Sequence, residues 1–304
     1  MSRSRSPSAH DVVRAHVAEQ VGALRGWEDR ARANEPDAVH QMRVTTRRLS
    51  AALSTFAPLW KSATLSPLRS ELAWLGALLG EARDVEVMQA RLHTLAADDA
   101  EAQVGLARLD QHLEARHREA LAAIDATLAS DRYHACLDSL EGLLARDAWS
   151  AEADKPAGRA LAALVRRDWK RVRRRVTRAE HAGGVTRDHE LHAVRRAARR
   201  LRYAAEAVSP VYGSEAEATG RAAKSLQDVL GEHQDSVVSA ELVGTLAAAD
   251  RSEGHSAGYA RLLAAEARRR SQTDVLFEQA WTALRDKRSR AWMRPSRARR
   301  SGRR

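Results

Sequence analysis

Apolar residues recur along almost the whole chain at three- and four-residue intervals, and no run alternates at period two. The pattern therefore predicts helices and no sheet. A first helix is predicted over residues 9–33, ending before Asn34-Glu-Pro36. Pro36 and Asp37 open a second, which Pro58 stops. Ser66 and Pro67 open a third, with Leu68, Leu72, Leu75 and Leu79 along one face, and Gly80 reads as a break or kink. Further helices are predicted over 82–96, 99–129 and 131–147, and residues 150–156 read as the midpoint linker. Beyond it come a helix over 157–181, ended by Gly183-Gly184, and one to about residue 208 capped by Thr186 or Asp188. Pro210 and Gly213 punctuate, and helices over 215–231, 233–250 and 256–290 follow.

The second half repeats the first. Val39-His-Gln-Met-Arg-Val-Thr-Thr-Arg-Arg-Leu49 matches Leu191-His-Ala-Val-Arg-Arg-Ala-Ala-Arg-Arg-Leu201 at an offset of 152. Leu78-Leu-Gly-Glu-Ala-Arg-Asp84 then matches Val229-Leu-Gly-Glu-His-Gln-Asp235 at an offset of 151. Two ordered matches at nearly one offset imply a duplicated helical unit. The expected fold is all-α: two similar antiparallel helical bundles related by a pseudo-twofold axis, with a basic central groove or pore. The expected boundaries are repeat 1 over about 9–150 and repeat 2 over about 156–285, together a domain of 9–285. Basic tails of 1–8 and 286–304 are expected to be disordered, since their arginines sit among Ser, Pro and Gly.

On a helix turning about 100° per residue, His40, Arg43 and Arg47 share one face and Met42, Leu49 and Leu53 the other. The second copy places His192, Arg195, Arg199 and Arg202 against Val194, Leu201 and Ala205. Arg48 and Arg200 widen the positive field. From His192 to Arg202 the stripe climbs about 15 Å, a ladder of donors rather than a pocket for one ion. The preceding helix carries Arg167, Lys170 and Arg174 at three-to-four spacing, and packed beside the second ladder it would add a positive wall. Arginine suits phosphate because its planar fork donates two parallel hydrogen bonds and stays charged. A linear polymer with a charge on every unit would satisfy successive rungs. The competing reading is that these arginines are solvated or paired with carboxylates, for which Glu71, Glu81, Asp84, Glu232 and Asp235 are available.

Charge sharpens this picture. The chain has 304 residues and a formal charge of +11, but the tails carry that excess and residues 9–284 are neutral overall. Within them, residues 166–202 hold 14 basic residues against four acids, whereas residues 81–154 hold 16 acids against seven bases. One part is built to meet an anion. The single cysteine, Cys136, excludes an internal disulfide framework and a cysteine-based zinc site, and reads as a packed thiol. No apolar run reaches the roughly 20 residues of a membrane span, and no apolar stretch follows the basic N-terminus, so a cytoplasmic protein is expected.

Enzyme signals are weak. There is no Gly-x-x-x-x-Gly-Lys-Ser/Thr loop and no His-Glu-x-x-His. His189 with His192, and His112 with His117, lack the third ligand of a metal site. No base or metal accompanies His40 or His192 for phosphohistidine chemistry, so no enzyme activity, cofactor or metal is expected.

At the two matched motifs the sequence resembles the CHAD domain family (conserved histidine α-helical domain), over about residues 9–285. The resemblance implies two helical bundles with pseudo-twofold symmetry and a basic channel that binds inorganic polyphosphate. It implies His40, Arg43, Arg47, Arg48, His192, Arg195, Arg199, Arg200 and Arg202 as ligands, with Lys224 before the Leu226-Gln-Asp-Val-Leu-Gly step matching a further basic position. Ser50 departs from the pattern where Arg202 stands in the second copy, which shortens the first ladder by a rung. Some relatives carry a triphosphate-processing domain marked Glu-x-Glu-x-Lys; Glu215-Ala-Glu-Ala-Thr219 lacks the lysine, so that activity is not expected. The expected function is non-catalytic polyphosphate binding that targets the protein to polyphosphate granules. The alternative is nucleic-acid binding through the basic helices and C-terminal tail, against which stand the few aromatics beside the ladders. The sequence is silent on oligomeric state.

Overall fold

The computed structural model describes residues 6–250 and 253–294. Among them are eleven α-helices and no strand: α1 Ala9–Gly26, α2 Glu28–Arg32, α3 Ala38–Thr55, α4 Ser62–Ala96, α5 Ala100–Leu128, α6 Asp131–Gly142, α7 Ala157–Glu180, α8 Gly184–Tyr212, α9 Ser214–Ala249, α10 Glu253–Ser271 and α11 Thr273–Arg285. No described helix is long and apolar enough to cross a membrane.

The ends follow local chemistry. Ser8 caps α1 in a capping box with Asp11, and Asp99 and Ser130 cap α5 and α6 with their side-chain oxygens. Gly213, at φ 55°, ends α8 in a backbone conformation that only glycine adopts freely.

The two halves use one packing order. α3 lies against α1 and α4, and α4 against α5; α8 lies against α7 and α9, and α9 against α10. The halves meet where α3 contacts α8 and where α5 contacts α10. The starts of α1 and α7 are also pinned side by side, Ala9 N–H donating to Lys155 O at 2.9 Å and Ala157 N–H to Pro7 O at 3.0 Å.

Two apolar cores result. The larger gathers Val13, Met42, Leu49, Leu75, Val172, Val194 and Leu201, the apolar stripes opposite the ladders. The smaller joins Val85, Leu92, Leu109 and Val243 to Tyr259 and Leu262. Beside it α5 and α10 cross at Gly105 and Gly258, where a Cβ on Gly258 would stand 2.4 Å from the Glu101 carbonyl oxygen.

Several predicted boundaries are corrected. The first predicted helix is split at Trp27 into α1 and α2. α4 runs unbroken through Pro67 and Gly80, and α9 through residue 232. Gly80 in α4 and Gly231 in α9 are buried, each beside an arginine of the neighbouring helix. The predicted helix 256–290 is broken at Gln272, where the chain leaves the smaller core so that Phe277 and Trp281 can join the larger. The midpoint is a packed connection: Ala153 is fully buried and Ser150 N–H donates to Leu59 O.

Parts of both predicted tails are ordered. Ser8 belongs to the ordered body. Residues Arg288–Met293 form a 3-10 turn, because Trp292 and Met293 are apolar anchors inside a basic run. Trp292 stacks on Tyr212 at 4.4 Å and donates its indole N–H to Thr219 Oγ1 at 3.0 Å. The remainder of both predicted tails, 1–5 and 295–304, lies outside the described residues.

Candidate anion-binding site

The two matched motifs lie on α3 and α8, which touch. Met42, Leu49 and Leu53 are buried under α3, and Val194, Leu201 and Ala205 under α8. This turns the charged stripes toward a shared seam, where Arg47 and Arg199 are the central pair.

Arg47 is held down to about 9, first by burial and then by the nearby charges of Arg199 and Arg43. Arg199 is held at about 10, again chiefly by burial, with Tyr203 opposing and Arg195, Arg43 and Arg196 adding repulsion. Among the described residues neither guanidinium has a carboxylate within ion-pair distance. The mutual influence of Arg47, Arg199 and Arg43 joins side chains from both halves into one cationic group.

The second motif supplies the partners of the first. Arg43, 8% exposed, donates Nη2 to Asp84 Oδ1 at 2.7 Å. Arg195, 152 positions on, has Asp235 Oδ1 at 4.0 Å. Gly80 and Gly231 leave room for these guanidinium groups, lying 3.8 Å and 3.4 Å from them when a Cβ is added. Burial raises Asp235, which Arg195 and Arg91 oppose and the charges of Glu232 and Asp84 reinforce.

His40 and His192 occupy matched places. Burial lowers His40, with Arg83 the foremost of the cations beside it, and leaves its Nδ1 without a partner. Burial also lowers His192, with Arg196 next, while its Nδ1 sits 2.8 Å from Gln234 Oε1. Arg83 and Gln234 are themselves repeat-related, 151 positions apart.

The outer rungs are compensated. Arg202 donates to Glu206 Oε1 at 2.7 Å and Arg48 lies 3.5 Å from Glu206 Oε2, both over the Tyr203 ring. Arg200 is lowered by burial, faces Asp168, and is repelled by Arg171 and Arg69. Asp168, itself hydrogen-bonded by Thr55, thus ties α7 to α3. Lys224 is engaged by Asp228 one turn on, at 2.5 Å.

The seam therefore brings together His40, Arg43, Arg47, His192, Arg195 and Arg199. Arg48, Arg200 and Arg202 lie on its flanks. Arg167, Lys170 and Arg174 are instead on the exposed face of α7, and Arg171 is the α7 cation that reaches Arg200. Sequence reasoning missed Arg83 and Arg196. Arg196 lies about 40° from the His192 stripe, but its repeat mate is Val44, so a search for matched pairs passes over it.

The fold and this seam define an all-helical protein built around two matched cationic helices. The chain belongs to the CHAD family: the CHAD domain matches residues 15–244. Polyphosphate binding is a known property of that family. Two Mycobacterium tuberculosis proteins, Uncharacterized protein MT2285 (strain CDC 1551 / Oshkosh) and Uncharacterized protein Rv2226 (strain ATCC 25618 / H37Rv), are each 36% identical over 239 residues, covering 77% of this chain and 45% of theirs. The chain thus spans about half the length of these curated relatives. The solved CHAD domain from the plant Ricinus communis is similar with a TM-score of 0.74 and 26% identity, over 94% of this chain and 95% of that one. PptA from Streptomyces chartreusis has a TM-score of 0.73 at 23% identity, over 91% and 100%, a likeness of fold alone.

Proposed function

We propose that the chain binds inorganic polyphosphate along the seam between α3 and α8, without catalysis, and that this directs it to polyphosphate granules in the cytoplasm. The observation that carries the proposal is the Arg47–Arg199 pair. Two half-buried guanidinium groups, one from each half, are set near each other, and among the described residues neither has a carboxylate within ion-pair distance. Like charges so placed cost stability unless an anion compensates. Membership of the CHAD family supports phosphate as that anion.

Length follows from the number of rungs. One phosphate would engage two or three donors, whereas a chain of phosphates can lie along Arg43, Arg47, Arg195 and Arg199 together. The matched partner sets on the two halves support a pseudo-twofold relation. Asp84 and Asp235 then act as placeholders, holding Arg43 and Arg195 until phosphate takes them over.

The test is binding of labelled polyphosphate, competed with triphosphate, orthophosphate and DNA while product release is followed. Replacing Arg47 and Arg199 together with Glu is expected to weaken polyphosphate binding at least about a hundredfold, since each charge-assisted contact contributes about 1.5–3 kcal/mol. Unchanged affinity in that variant refutes the seam. Steady release of phosphate by the wild type, lost in His40→Ala, refutes the non-catalytic reading.

A further inference from the structure

Arg167, Lys170 and Arg174 stand away from the seam, and they are not alone there. Arg159, Arg166 and Arg178 fall within about 120° of them on the same face of α7, opposite Leu161, Val165 and Val172. The row climbs about 28 Å. All six side chains are exposed or half-exposed, and none makes an ion pair among the described residues. Their neighbours differ. Arg171 and Arg175, on the flank turned to α8, are held by Asp168 and Glu190. Exposed arginines elsewhere, such as Arg25, Arg30, Arg132 and Arg146, each hold a carboxylate. A row of like charges at three-to-four spacing is unfavourable on an isolated helix. Nothing buried depends on this one.

The end of the described chain is fastened to this row. Arg290 lies 4.3 Å over the Trp169 ring, which Arg173 also covers at 5.3 Å. Trp292, Met293 and Arg294 then line a groove of about 400 Å³ with Arg159, Arg166, Arg167 and Lys170. The sequence continues past Arg294 with five arginines in residues 295–304.

We propose that the outer face of α7, together with Arg294, is a second anion-binding surface that takes the phosphate backbone of duplex nucleic acid without reading its sequence. The seam is lined from two helices, as a thin thread requires. The α7 face is a single straight ridge, which a thread meets along one line but a wide rod can lie against. Duplex DNA carries a phosphate charge about every 1.7 Å of its axis, so several lysines and arginines on a ridge are engaged at once. Single strands fit less well, because Trp169 and Trp292 are buried and no aromatic platform faces outward for base stacking. Contacts to phosphate alone position a duplex but carry no sequence information. This proposal does not rest on the polyphosphate reading.

The experiment uses the full chain and a labelled duplex of about 30 base pairs, with fluorescence anisotropy over a range of salt. The variant Arg167→Glu/Lys170→Glu/Arg174→Glu is expected to weaken duplex binding at least about tenfold and to make the log–log salt slope shallower by about 3, for three lost phosphate contacts. Its polyphosphate affinity is expected to match the wild type and its melting temperature not to fall. If charge reversal impairs folding, the same three positions changed to Gln provide the readout. Arg47→Glu/Arg199→Glu is expected to keep duplex binding, so failure of the seam is scored separately, as retained polyphosphate binding in that variant. Four results overturn the proposal. They are undiminished duplex binding in the α7 variant, a parallel loss of duplex and polyphosphate there, a stronger affinity for the unpaired strand, and loss confined to a variant with the five arginines of 295–304 changed to Gln.

Discussion

Arg47 and Arg199 stand among like charges with no carboxylate at ion-pair distance among the described residues. Arg199 and Arg43 repel Arg47, which Asp84 opposes from farther off, and Arg195, Arg43 and Arg196 repel Arg199. Arg199→Gln is therefore expected to raise the stability of the free protein by about 0.5–2 kcal/mol while weakening polyphosphate binding, a trade common at functional sites. Thermal melting with and without polyphosphate checks both halves of the statement. The histidines give a pH dependence with a definite sign. Burial and the arginines beside them lower His40 and His192, so at neutral pH both are uncharged in the free protein. Bound phosphate favours the imidazolium, so binding takes up protons and affinity rises as pH falls from 8 through about 6.5. Without the ligand the sign reverses: the unfolded chain takes protons that the native histidines resist, so stability falls as pH drops through about 6.5 toward the lowered native values. Titration calorimetry at several pH values is expected to show this, and a His40→Gln/His192→Gln variant to lack it. Cys136, buried and pushed up to about 11, is placed as a packed thiol.

At the scale of elements, continuity of the long helices matters more than their individual residues. Gly80 and Gly231 are poor helix formers, yet α4 and α9 pass through them, each packed against an arginine of α3 or α8 that a Cβ would meet at ordinary contact distance. Gly105 and Gly258 do a different job, letting α5 and α10 approach backbone to backbone. A methyl on Gly258 meets the Glu101 carbonyl at 2.4 Å, and a backbone cannot step aside as a flexible side chain can. Gly258→Ala is expected to cost about 1–3 kcal/mol or more by overpacking, measured by urea unfolding. Gly105→Ala, whose added carbon would lie 3.0 Å from the partner backbone, is expected to cost less.

Across the whole molecule, the two halves are tied by one buried charge cluster as well as by the seam. Arg91 on α4 donates from Nε and Nη2 to both oxygens of Glu266 on α10, at 2.7 Å each, and from Nη1 to Glu232 on α9 at 3.0 Å. Burial alone would raise Glu266, but the hydrogen bonds and charge of Arg91 bring it below its ordinary value. Arg91→Met leaves that carboxylate buried and unanswered, an expected loss of about 3–5 kcal/mol. The pH profile identifies the cause. In the wild type the contribution of Glu266 is present above its unfolded pKa and lost as pH falls through the depressed folded one. In the variant the raised carboxyl takes up its proton first, so the deficit is expected to shrink toward acid pH.

The sequence by itself determined the helical class, the two matched motifs and which charged residues share a helix face. His40, Arg43 and Arg47 could be placed on one face because helical period fixes direction once Met42, Leu49 and Leu53 are assigned to the core. Local pattern also carried the Leu-Gly-Glu match, though not its purpose. What it could not fix was direction across helices. Whether Arg167, Lys170 and Arg174 faced the seam depended on how α7 rolls against α8, and the buried Trp169, Val172 and Val176 turned them outward. Pairing was likewise a tertiary matter, since Asp84 reaches Arg43 across 41 positions and Asp235 reaches Arg195 across 40. A carboxylate's partner is set by which helices touch, and only the assembled fold brings those helices together.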